Sequence, residues 1–516
     1  MLKTALGAAR GLNPGLALAF IVIAAAALYA VAYLDPYVGL VMAPFFALGC
    51  ARGKHPAILL ALSLVPAVIL LAVSWIKFSL TGIPLVTYDH HFLRQNVVML
   101  VFNDWRIAAA VVVTTGATLL YIKHLFAGRG AFSRFEKWSL AALTAASVAG
   151  LVGLQRWDQS INNWEDVLAT PSLRTFVASA RMPRPELRIV AEAKAASPVM
   201  APAGLTAPGG TAPDIFFVLQ ESTFPPSMAP TEFEPHTLFA RSGADSGPLR
   251  VPTFAGATWK TEFAVTTQMR PQEFGADGLY VFYQLEGRIK QSLFTRLKAL
   301  GYRTMVFYPV PGSFVNARNF YSSIGVDEFY DPESLGIGRG WGWEIPDAKL
   351  YDAMLKKIAD SPMPVAAMML TINQHGPHDN HDPLTDYVAR FAQSDDAYRS
   401  FLVALGERPR PAGVVTFGDH MPEFMARFER DQALYVTAYE VRCVNFTCAG
   451  AAIPEQATKA LDAVLLAPFA LEKFGFKLDG FSKLERSLYR DCGDDASRCS
   501  DAARLGVNAA FARFFE

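Results

Sequence analysis

The sequence has no excess of charge of either sign, because 47 Lys and Arg residues balance 47 Asp and Glu residues. Proteins that bind nucleic acid concentrate positive charge on one surface, so this balance gives no indication of a nucleic-acid partner. Charged residues are also sparse, at 18% of the chain. No internal repeat is present, which argues against a solenoid or a propeller.

Cysteine is scarce as well, with 5 residues in the chain. Cys50 lies in an apolar run, and the other four form two pairs that are close in sequence, Cys443 with Cys448 and Cys492 with Cys499. Two local disulfides in an oxidising compartment are the favoured interpretation. A metal site built from the four thiols is the alternative, although neither pair has the two-residue spacing typical of such sites.

Apolar residues are abundant, at 52% of the chain with a mean hydropathy of +0.22, and the excess lies before Arg156. A helix that spans a membrane needs about 20 apolar residues. The candidate spans are Gly15–Leu34, Val38–Cys50, Pro56–Ile76, Ile107–Ile122 and Trp138–Leu154. Val38–Cys50 is the weakest of them, with a re-entrant or interfacial segment as the alternative.

Cationic residues are concentrated before the first run, between the second and third, and between the fourth and fifth. By the positive-inside rule, five spans place the N-terminus in the cytoplasm and everything after Arg156 outside, whereas four spans would place the large C-terminal domain inside. We therefore expect an α-helical membrane anchor of about five spans over residues 1–156. The Ala- and Arg-rich composition favours a bacterium, and the paired cysteines favour a periplasm, so the expected location is the inner membrane with the remainder of the chain in the periplasm.

Residues 157–213 differ in character from both neighbours. The stretch 157–180 is predicted to form an amphipathic helix at the membrane surface. Ala195–Pro213 is rich in Ala, Pro and Gly and has few large apolar side chains, which is typical of an extended linker. We expect residues 214–516 to form an extracytoplasmic catalytic domain.

Short apolar runs bounded by turn residues alternate with helical patterns after this linker. The predicted strands are Asp214–Gln220, Thr304–Tyr308, Val365–Thr371 and Gly413–Phe417. Ile289–Leu300 has its apolar residues on one helical face. Buried strands that alternate with helices predict an α/β fold with a largely parallel sheet, in which ligands bind beyond the carboxyl ends of the strands.

Potential metal ligands follow two of these predicted strands directly. Glu221 comes after the first strand, and Asp419 and His420 come after the fourth. Because the carboxyl ends of parallel strands meet at one edge of the sheet, we expect these three side chains to converge. Their oxygen and nitrogen ligands suit one divalent cation, Mn²⁺ or Zn²⁺, with Mg²⁺ also compatible. The alternatives are a solvated loop residue for Glu221 and a capped turn for Asp419 and His420.

Thr258 lies between these clusters in sequence, after Gly256 and before an apolar segment that contains Glu262 and Phe263. A hydroxyl at the start of a helix lies where partial positive charge favours an incoming phosphate. A nearby cation would lower the pKa of this hydroxyl and make it a nucleophile. The alternative is a helix cap with no chemical role.

Four segments, in this order, resemble motifs of the sulfatase-like branch of the alkaline phosphatase superfamily. They are Leu219-Gln-Glu221-Ser222, Gly256-Ala-Thr258 with Glu262-Phe263, Asn373-Gln-His375-Gly-Pro377, and Gly418-Asp419-His420. Within that branch the chain is most similar to lipoteichoic acid synthases and to phosphoglycerol and phosphoethanolamine transferases. This resemblance implies a five-helix membrane anchor, a linker and an extracytoplasmic catalytic domain.

The resemblance also implies roles for individual residues. The implied metal ligands are Glu221, Thr258, Asp419 and His420. Thr258 is the implied nucleophile, and His375 is implied to bind substrate and to act in acid–base catalysis. Arg318 is implied to contact the substrate phosphate, although Ala317 separates it from Asn316 where the family has the two residues adjacent. Trp343 and Asp347 match a family segment that is expected to be structural.

The reaction implied by the resemblance moves a phosphoglycerol head group from a membrane phospholipid to a glycan or lipid-glycan acceptor. Phosphoethanolamine transfer at the same site and hydrolysis by a sulfatase-like phosphodiesterase are the alternatives. A formylglycine-dependent sulfatase is not expected, because no Cys lies near Thr258. His378 and His381 lie close to His375 in sequence; we expect them to be solvated loop residues, and contact of one of them with the substrate is the alternative.

Overall fold

The structure is a computed structural model of the chain. It describes residues 67–78, 84–87, 89–90, 105–126, 134–157, 171–179, 204–224, 238–239, 245–274, 277–339, 343, 345–379, 381–429, 431–449, 460–480 and 482–483. The chain divides into two compact units, Met1–Met182 and Pro183–Glu516. Each unit is described by itself.

The described part of the first unit is helical. Its helices are residues 67–78, Trp105–Phe126, Arg134–Trp157 and Leu173–Ser179. The predicted spans Gly15–Leu34 and Val38–Cys50 lie outside the described residues. Ile107–Ile122 and Trp138–Leu154 each fall within one of the two long helices, as their mainly apolar sequences without charged residues favour.

Among the residues that the structure describes, no helix combines the length and the apolar character needed to cross a membrane. The five-span anchor therefore stays a prediction.

The second unit is built around a mixed sheet of eight strands in the order β4-β3-β5-β1-β6-β7-β2-β8. Numbered along the chain, the strands are β1 Asp214–Gln220, β2 Asp245–Arg250, β3 Arg303–Phe307, β4 Glu328–Tyr330, β5 Val365–Leu370, β6 Ala412–Gly418, β7 Val436–Val444 and β8 Leu461–Asp462. Five adjacent strands of the sheet, β4, β3, β5, β1 and β6, run parallel to one another. β7 is antiparallel to β6 and to β2. The α/β fold and the four strands predicted from the sequence are confirmed.

Helices pack around this sheet. The α-helices of the second unit are Trp259–Thr267, Val281–Gln284, Leu293–Ala299, Ala317–Ser323, Pro332–Leu335, Asp347–Ile358, Pro383–Gly406 and Ala463–Lys473. Short 3-10 helices are Pro271–Phe274, Asp277–Tyr280, Phe314–Asn316, Glu423–Arg427 and Asp431–Tyr435. The helix predicted over Ile289–Leu300 begins later than expected, because the Ser292 hydroxyl accepts the backbone N–H of Thr295 at 3.1 Å and caps it there.

Complete burial explains why the central strands could be predicted from the sequence. Every residue of β1, β5 and β6 is buried. Phe216 of β1 packs edge-on against Phe401 at 5.6 Å between ring centroids, within the hydrophobic core. Strands covered on both faces need continuous apolar sequence, which is what these segments have.

The register of β1 and β6 positions the predicted ligands. Gln220, the last residue of β1, pairs with Gly418, the last residue of β6. Glu221 and Asp419 are therefore the first residues beyond two adjacent parallel strands, at the same edge of the sheet. At the opposite end of β1, Asp214 forms an ion pair with Arg408 at 3.0 Å.

Candidate active site

Glu221, Asp419 and His420 form a buried cluster at the carboxyl ends of β1 and β6. One potential ligand atom from each side chain lies within 4.8 Å of the others. His420 Nε2 lies 3.4 Å from Glu221 Oε1 and 3.2 Å from Asp419 Oδ2. The structure therefore brings together the three side chains that the strand-end argument placed at one edge. The solvated-loop alternative for Glu221 is wrong, because the residue is 3% exposed.

Ser222 connects the two carboxylates of this cluster. Its hydroxyl donates to Glu221 Oε1 at 2.9 Å, and its backbone N–H donates to Asp419 Oδ1 at 2.8 Å. Ser222 has a φ of 51°, in the left-handed region that non-glycine residues seldom occupy. Strained backbone of this kind persists where the surroundings fix it, and it is common at functional sites. The sequence motif includes Ser222, but nothing in the sequence indicates this bridging role.

The charges of the cluster are unbalanced, with two carboxylates around one imidazole. Burial and then the charge of Glu221 raise the pKa of Asp419 to about 7. Burial opposes protonation of His420, but Asp419 and Glu221 outweigh it and raise the pKa of His420 to about 9. Burial likewise opposes ionisation of Glu221, but contact with His420 outweighs it and lowers the pKa of Glu221 to about 2. The site therefore favours added positive charge, either protons or a metal cation.

The donor atoms fit a divalent cation. Asp419 Oδ2 is buried and makes no hydrogen bond among the described residues, although it faces His420 Nε2 at 3.2 Å. A buried carboxylate oxygen without a donor is costly unless a cation faces it. Two carboxylates and one imidazole are ligand types found at zinc and manganese sites. Glu221, Asp419 and His420 are the residues that would hold such an ion.

Thr258 extends the cluster. Its hydroxyl donates to Glu221 Oε2 at 3.2 Å and lies 3.5 Å from His420 Nε2. Thr258 directly precedes the helix Trp259–Thr267, yet its side chain makes no capping hydrogen bond. The interpretation of Thr258 as a simple helix cap is therefore wrong, because its hydroxyl faces Glu221 and His420, two of the potential metal ligands.

The turn that presents Thr258 has unusual backbone geometry. Ala255 and Ala257 have φ values of 60° and 63°, and Gly256 between them has a φ of 155°. The backbone N–H of Ala255 donates to the Met421 carbonyl at 3.1 Å, which ties the turn to the loop that carries His420. The Thr253 hydroxyl closes the turn by donating to the Gly256 carbonyl at 2.6 Å. These contacts hold the hydroxyl of Thr258 beside Glu221.

Glu262 lies one turn further along the helix and is completely buried. The hydroxyls of Tyr321 and Tyr308 donate to its carboxylate at 2.6 and 3.3 Å. Burial raises the pKa of Glu262 to about 8, against the opposing effect of both tyrosines. The sequence places Glu262 near Thr258, but the two tyrosines come from distant segments and could not have been identified with it.

His375 lies in the loop that follows β5. Its Nδ1 is 2.5 Å from the Gly376 carbonyl, and its ring stacks on Trp343 with 4.0 Å between centroids and 18° between planes. Burial lowers the pKa of His375, while the charge of Glu221 acts in the opposite direction. The described contacts of His375 are with Gly376, Trp343, Arg390 and the Ile372 carbonyl, and none is with Thr258.

Two charged residues fix the loop of His375. Asp347 is buried and accepts the backbone N–H groups of Ile372 at 2.7 Å and Asn373 at 3.1 Å. Arg390 donates to the carbonyls of His375 at 2.8 Å and Pro377 at 3.1 Å. Asp347 therefore has the structural place that its sequence context indicated, and Arg390 was not identified from the sequence.

Arg318 is not brought into the cluster. Its guanidinium pairs with Asp331 at 2.6 Å and donates to the Phe329 carbonyl at 3.0 Å. None of these partners belongs to the group around Glu221. The predicted contact of Arg318 with a substrate phosphate stays a prediction.

His378 is 8% exposed, so the expectation that it is solvated is wrong. It packs edge-on against Phe424, with 5.0 Å between ring centroids, and neither ring nitrogen has a hydrogen-bond partner among the described residues. Burial lowers its pKa to about 4. His381 is exposed, as expected.

The structure contains a disulfide between Cys443 and Cys448, at the end of β7. The first of the two predicted disulfides is therefore confirmed. Cys492 and Cys499 lie outside the described residues.

The fold and the site define an α/β protein that carries a group of potential metal ligands at the carboxyl ends of its central parallel strands. Comparison with known families identifies it further, because residues 213–458 match the sulfatase family. Residues 213–458 therefore form a sulfatase-type domain, which confirms the predicted resemblance to the sulfatase-like branch of the alkaline phosphatase superfamily.

Curated proteins are similar to part of this chain, among them the following two. An uncharacterized protein of Haemophilus influenzae is 31% identical over 45% of this chain and 49% of its own length. A putative cyclic beta-1,2-glucan modification protein of Rhizobium meliloti is 24% identical over 43% of this chain and 37% of its own length. The chain thus spans half or less of the length of these relatives.

Solved structures are similar to this chain as well. The integral membrane lipooligosaccharide phosphoethanolamine transferase A of Neisseria meningitidis gives a TM-score of 0.51 at 13% identity, covering 87% of this chain and 96% of that one. At this identity, the likeness shows the fold.

Proposed function

We propose that this protein is a metal-dependent phosphotransferase that moves a phosphoglycerol head group from a membrane phospholipid to a glycan or lipid-glycan acceptor. The proposed reaction passes through a covalent intermediate on Thr258. The observation that carries the proposal is the position of the Thr258 hydroxyl, 3.2 Å from Glu221 and 3.5 Å from His420. A hydroxyl that serves only the fold would not need two buried metal-type ligands beside it.

Glu221, Asp419 and His420 are the proposed protein ligands of the cation, with Thr258 as the fourth. When bound, a divalent cation lowers the pKa of a neighbouring hydroxyl and offsets the negative charge that develops at phosphorus. Ser222 orients both carboxylates through its hydroxyl and its backbone N–H. Hydrogen bonds that orient the ligands in this way tune the affinity of metal sites.

The proposed chemistry consists of two substitutions at phosphorus. In the first, the deprotonated Thr258 oxygen bonds to the head-group phosphorus, the bond to diacylglycerol breaks, and protonated His375 gives its proton to the departing oxygen. In the second, neutral His375 takes the proton of an acceptor hydroxyl while that oxygen bonds to phosphorus. The bond to Thr258 then breaks and regenerates its oxygen.

The choice of head group rests on the Gly256-Ala-Thr258 and Glu262-Phe263 pattern, which resembles phosphoglycerol transferases most closely. The choice of a glycan acceptor is supported by the Rhizobium relative, whose name refers to glucan modification. The predicted membrane anchor over residues 1–156 and the linker over 157–213 would keep the domain at 214–516 beside a lipid donor. The Cys443–Cys448 disulfide supports a periplasmic location for that domain.

The test is a parallel assay of the purified full chain with labelled phosphatidylglycerol and labelled phosphatidylethanolamine, each with and without a cyclic glucan acceptor. We expect diacylglycerol release from phosphatidylglycerol, and label transfer to the glucan that requires Mn²⁺ or Zn²⁺. Release from phosphatidylethanolamine alone would replace the head group in the proposal. Release of free glycerol phosphate without any transfer would identify a hydrolase instead.

A further inference from the structure

Trp343 and His375 form a closely stacked ring pair beside the proposed reaction centre. Their centroids are 4.0 Å apart and their planes differ by 18°, so the indole covers one face of the imidazole. Phe314 meets Trp343 edge-on at 5.4 Å. The stacked indole removes water from one side of His375 and restricts rotation of its ring.

The backbone of Trp343 is held in an unfavourable conformation. Its φ is 56°, in the left-handed region where a bulky side chain is a genuine outlier. Such a conformation costs on the order of 1–3 kcal/mol and persists only when the surroundings over-determine it. The described ring contacts of Trp343 are with His375 and, edge-on, with Phe314.

The hydrogen bond of His375 assigns its two nitrogens. A carbonyl oxygen can only accept, so Nδ1, at 2.5 Å from the Gly376 carbonyl, carries a proton. In a neutral ring this leaves the lone pair on Nε2. The nitrogen that exchanges protons with a reactant is therefore Nε2, and its direction depends on the plane of the ring.

The same loop is anchored at its backbone by Asp347 and Arg390. Neither of these residues contacts the imidazole itself in the described structure. Backbone anchoring leaves the side-chain torsions of His375 free, whereas the stacked indole and the Gly376 carbonyl constrain them. Removal of the Trp343 side chain would therefore free the orientation of the His375 ring while Asp347 and Arg390 still hold the backbone of the loop.

We propose that Trp343 is a positioning residue, which acts by fixing the ring plane of His375 and excluding water from one of its faces. This inference rests on the proposed function, since it assigns to Nε2 the proton given to diacylglycerol and the proton taken from the acceptor hydroxyl. Burial of the His375 ring, to which the indole contributes one face, disfavours the charged imidazolium through lost hydration, in agreement with the lowered pKa of His375. Protonated His375 is consequently a stronger acid toward the departing oxygen.

The first test is an NMR titration of the full chain in detergent, loaded with Zn²⁺ and labelled at the histidine Cε1 carbons. The His375 signal is assigned by its loss in His375→Gln. In Trp343→Ala we expect the pKa of His375 to rise toward its ordinary value, and in Trp343→Phe to stay close to that of the parent. Phe314→Leu is the matched control, since it alters aromatic packing on Trp343 without touching His375.

The second test is the pH profile of turnover in the same variants. We expect Trp343→Ala to lower kcat by roughly tenfold with little change in KM, because acid–base catalysis supplies about 10²–10⁴-fold and only part of it is lost. The acidic limb of the profile should move in the same direction as the NMR pKa, and Trp343→Phe should restore most of the rate.

An unchanged His375 pKa in a folded Trp343→Ala protein would overturn the positioning role, as would an equal effect of Phe314→Leu. If Trp343→Ala unfolds, Trp343→Leu supplies the same comparison with a bulky side chain that cannot stack. The titration uses no substrate. A shifted pKa without turnover of either phospholipid would therefore count against the proposed function while leaving the relationship of Trp343 and His375 supported.

Discussion

The hydroxyl of Thr258 donates to the carboxylate of Glu221 across 3.2 Å, although the two residues lie on separate segments of the chain. Glu221 directly follows the first strand of the sheet, whereas Thr258 precedes a helix and follows an irregular turn. Their contact places the hydroxyl of the proposed nucleophile beside the three potential metal ligands Glu221, Asp419 and His420.

Thr258→Ala should abolish turnover, with a loss of at least about 10³-fold, because removal of a covalent nucleophile leaves only binding and electrostatic effects. Thr258→Ser should retain measurable activity, because it keeps the hydroxyl. Mass spectrometry of the parent after rapid acid quench should find the head-group phosphodiester on the Thr258 peptide. Thr266→Ala is a suitable control, because its hydroxyl bonds to backbone carbonyls of its own helix. Normal turnover by a folded Thr258→Ala protein would rule out the covalent route.

Cation binding should weaken as the pH falls. Without a cation, the neighbouring carboxylates raise the pKa of His420 to about 9, and burial with Glu221 raises that of Asp419 to about 7. A cation must displace these protons, so affinity should fall roughly tenfold per pH unit for each proton displaced. Titration calorimetry with Zn²⁺ or Mn²⁺ from about pH 6 to about pH 8 measures the slope. A flat profile would mean that His420 is not a ligand.

Asp419→Asn should remove the bound cation at concentrations that saturate the parent. It takes away a buried carboxylate oxygen that lacks a hydrogen-bond partner in the described structure. Elemental analysis after gel filtration measures the bound cation. Asp327→Asn is a matched control, because that carboxylate pairs with Lys298 away from the cluster and should leave metal content unchanged.

Ser222→Ala should weaken metal affinity by about 10–100-fold, the range typical when a metal ligand loses the hydrogen bond that orients it. The variant loses the hydroxyl that donates to Glu221 but keeps the backbone N–H that donates to Asp419. Ser222→Gly makes the same deletion and also relieves the positive φ of 51°. Comparison of cation affinity and thermal stability in the two variants separates the two effects. Parent-like affinity in both would contradict the orienting role.

Glu262→Gln should alter how stability depends on pH. The folded pKa of Glu262 is about 8, above the ordinary value of 4.5, so the folded state holds a proton that the unfolded chain releases. The stability that this proton contributes is complete below pH 4.5 and is lost as the pH rises through about 8. Glutamine mimics the protonated group and can still accept from Tyr321.

We therefore expect Glu262→Gln to cost little at about pH 5 and to stabilise the protein at about pH 8–9 by an amount on the order of a few kcal/mol. Chemical denaturation in the presence of a chelator, at both pH values, measures the difference. Tyr308→Phe removes a weaker donor at 3.3 Å and should not reproduce this pH dependence. Parallel stability curves for Glu262→Gln and the parent would contradict the assignment.

The sequence by itself determined the parts of the fold that depend on local apolar pattern. β1, β5 and β6 are buried on both faces, so their sequences are largely apolar and were predicted nearly to the residue. The residues that follow β1 and β6 could be assigned to one edge, since parallel strands end together. Motif order then indicated the sulfatase family, and the family match confirmed it.

β2, which lies between β7 and the edge strand β8, was not predicted in this way. β2 contains Gly247 and Pro248 and is only partly buried, so no apolar pattern marks it as a strand. It forms because β7 pairs with it along its whole length, and that pairing joins segments far apart in the chain. Sequence periodicity does not record such a partner.

Only the tertiary structure decided which polar side chains meet. In the structure, the Thr258 hydroxyl bonds to Glu221 instead of capping its helix, and His378 is buried. Arg318 pairs with Asp331, and Trp343 stacks on His375. Each of these outcomes depends on loops brought together by the packing of distant elements. The sequence determined which groups were available for chemistry, and long-range packing determined which of them share a site.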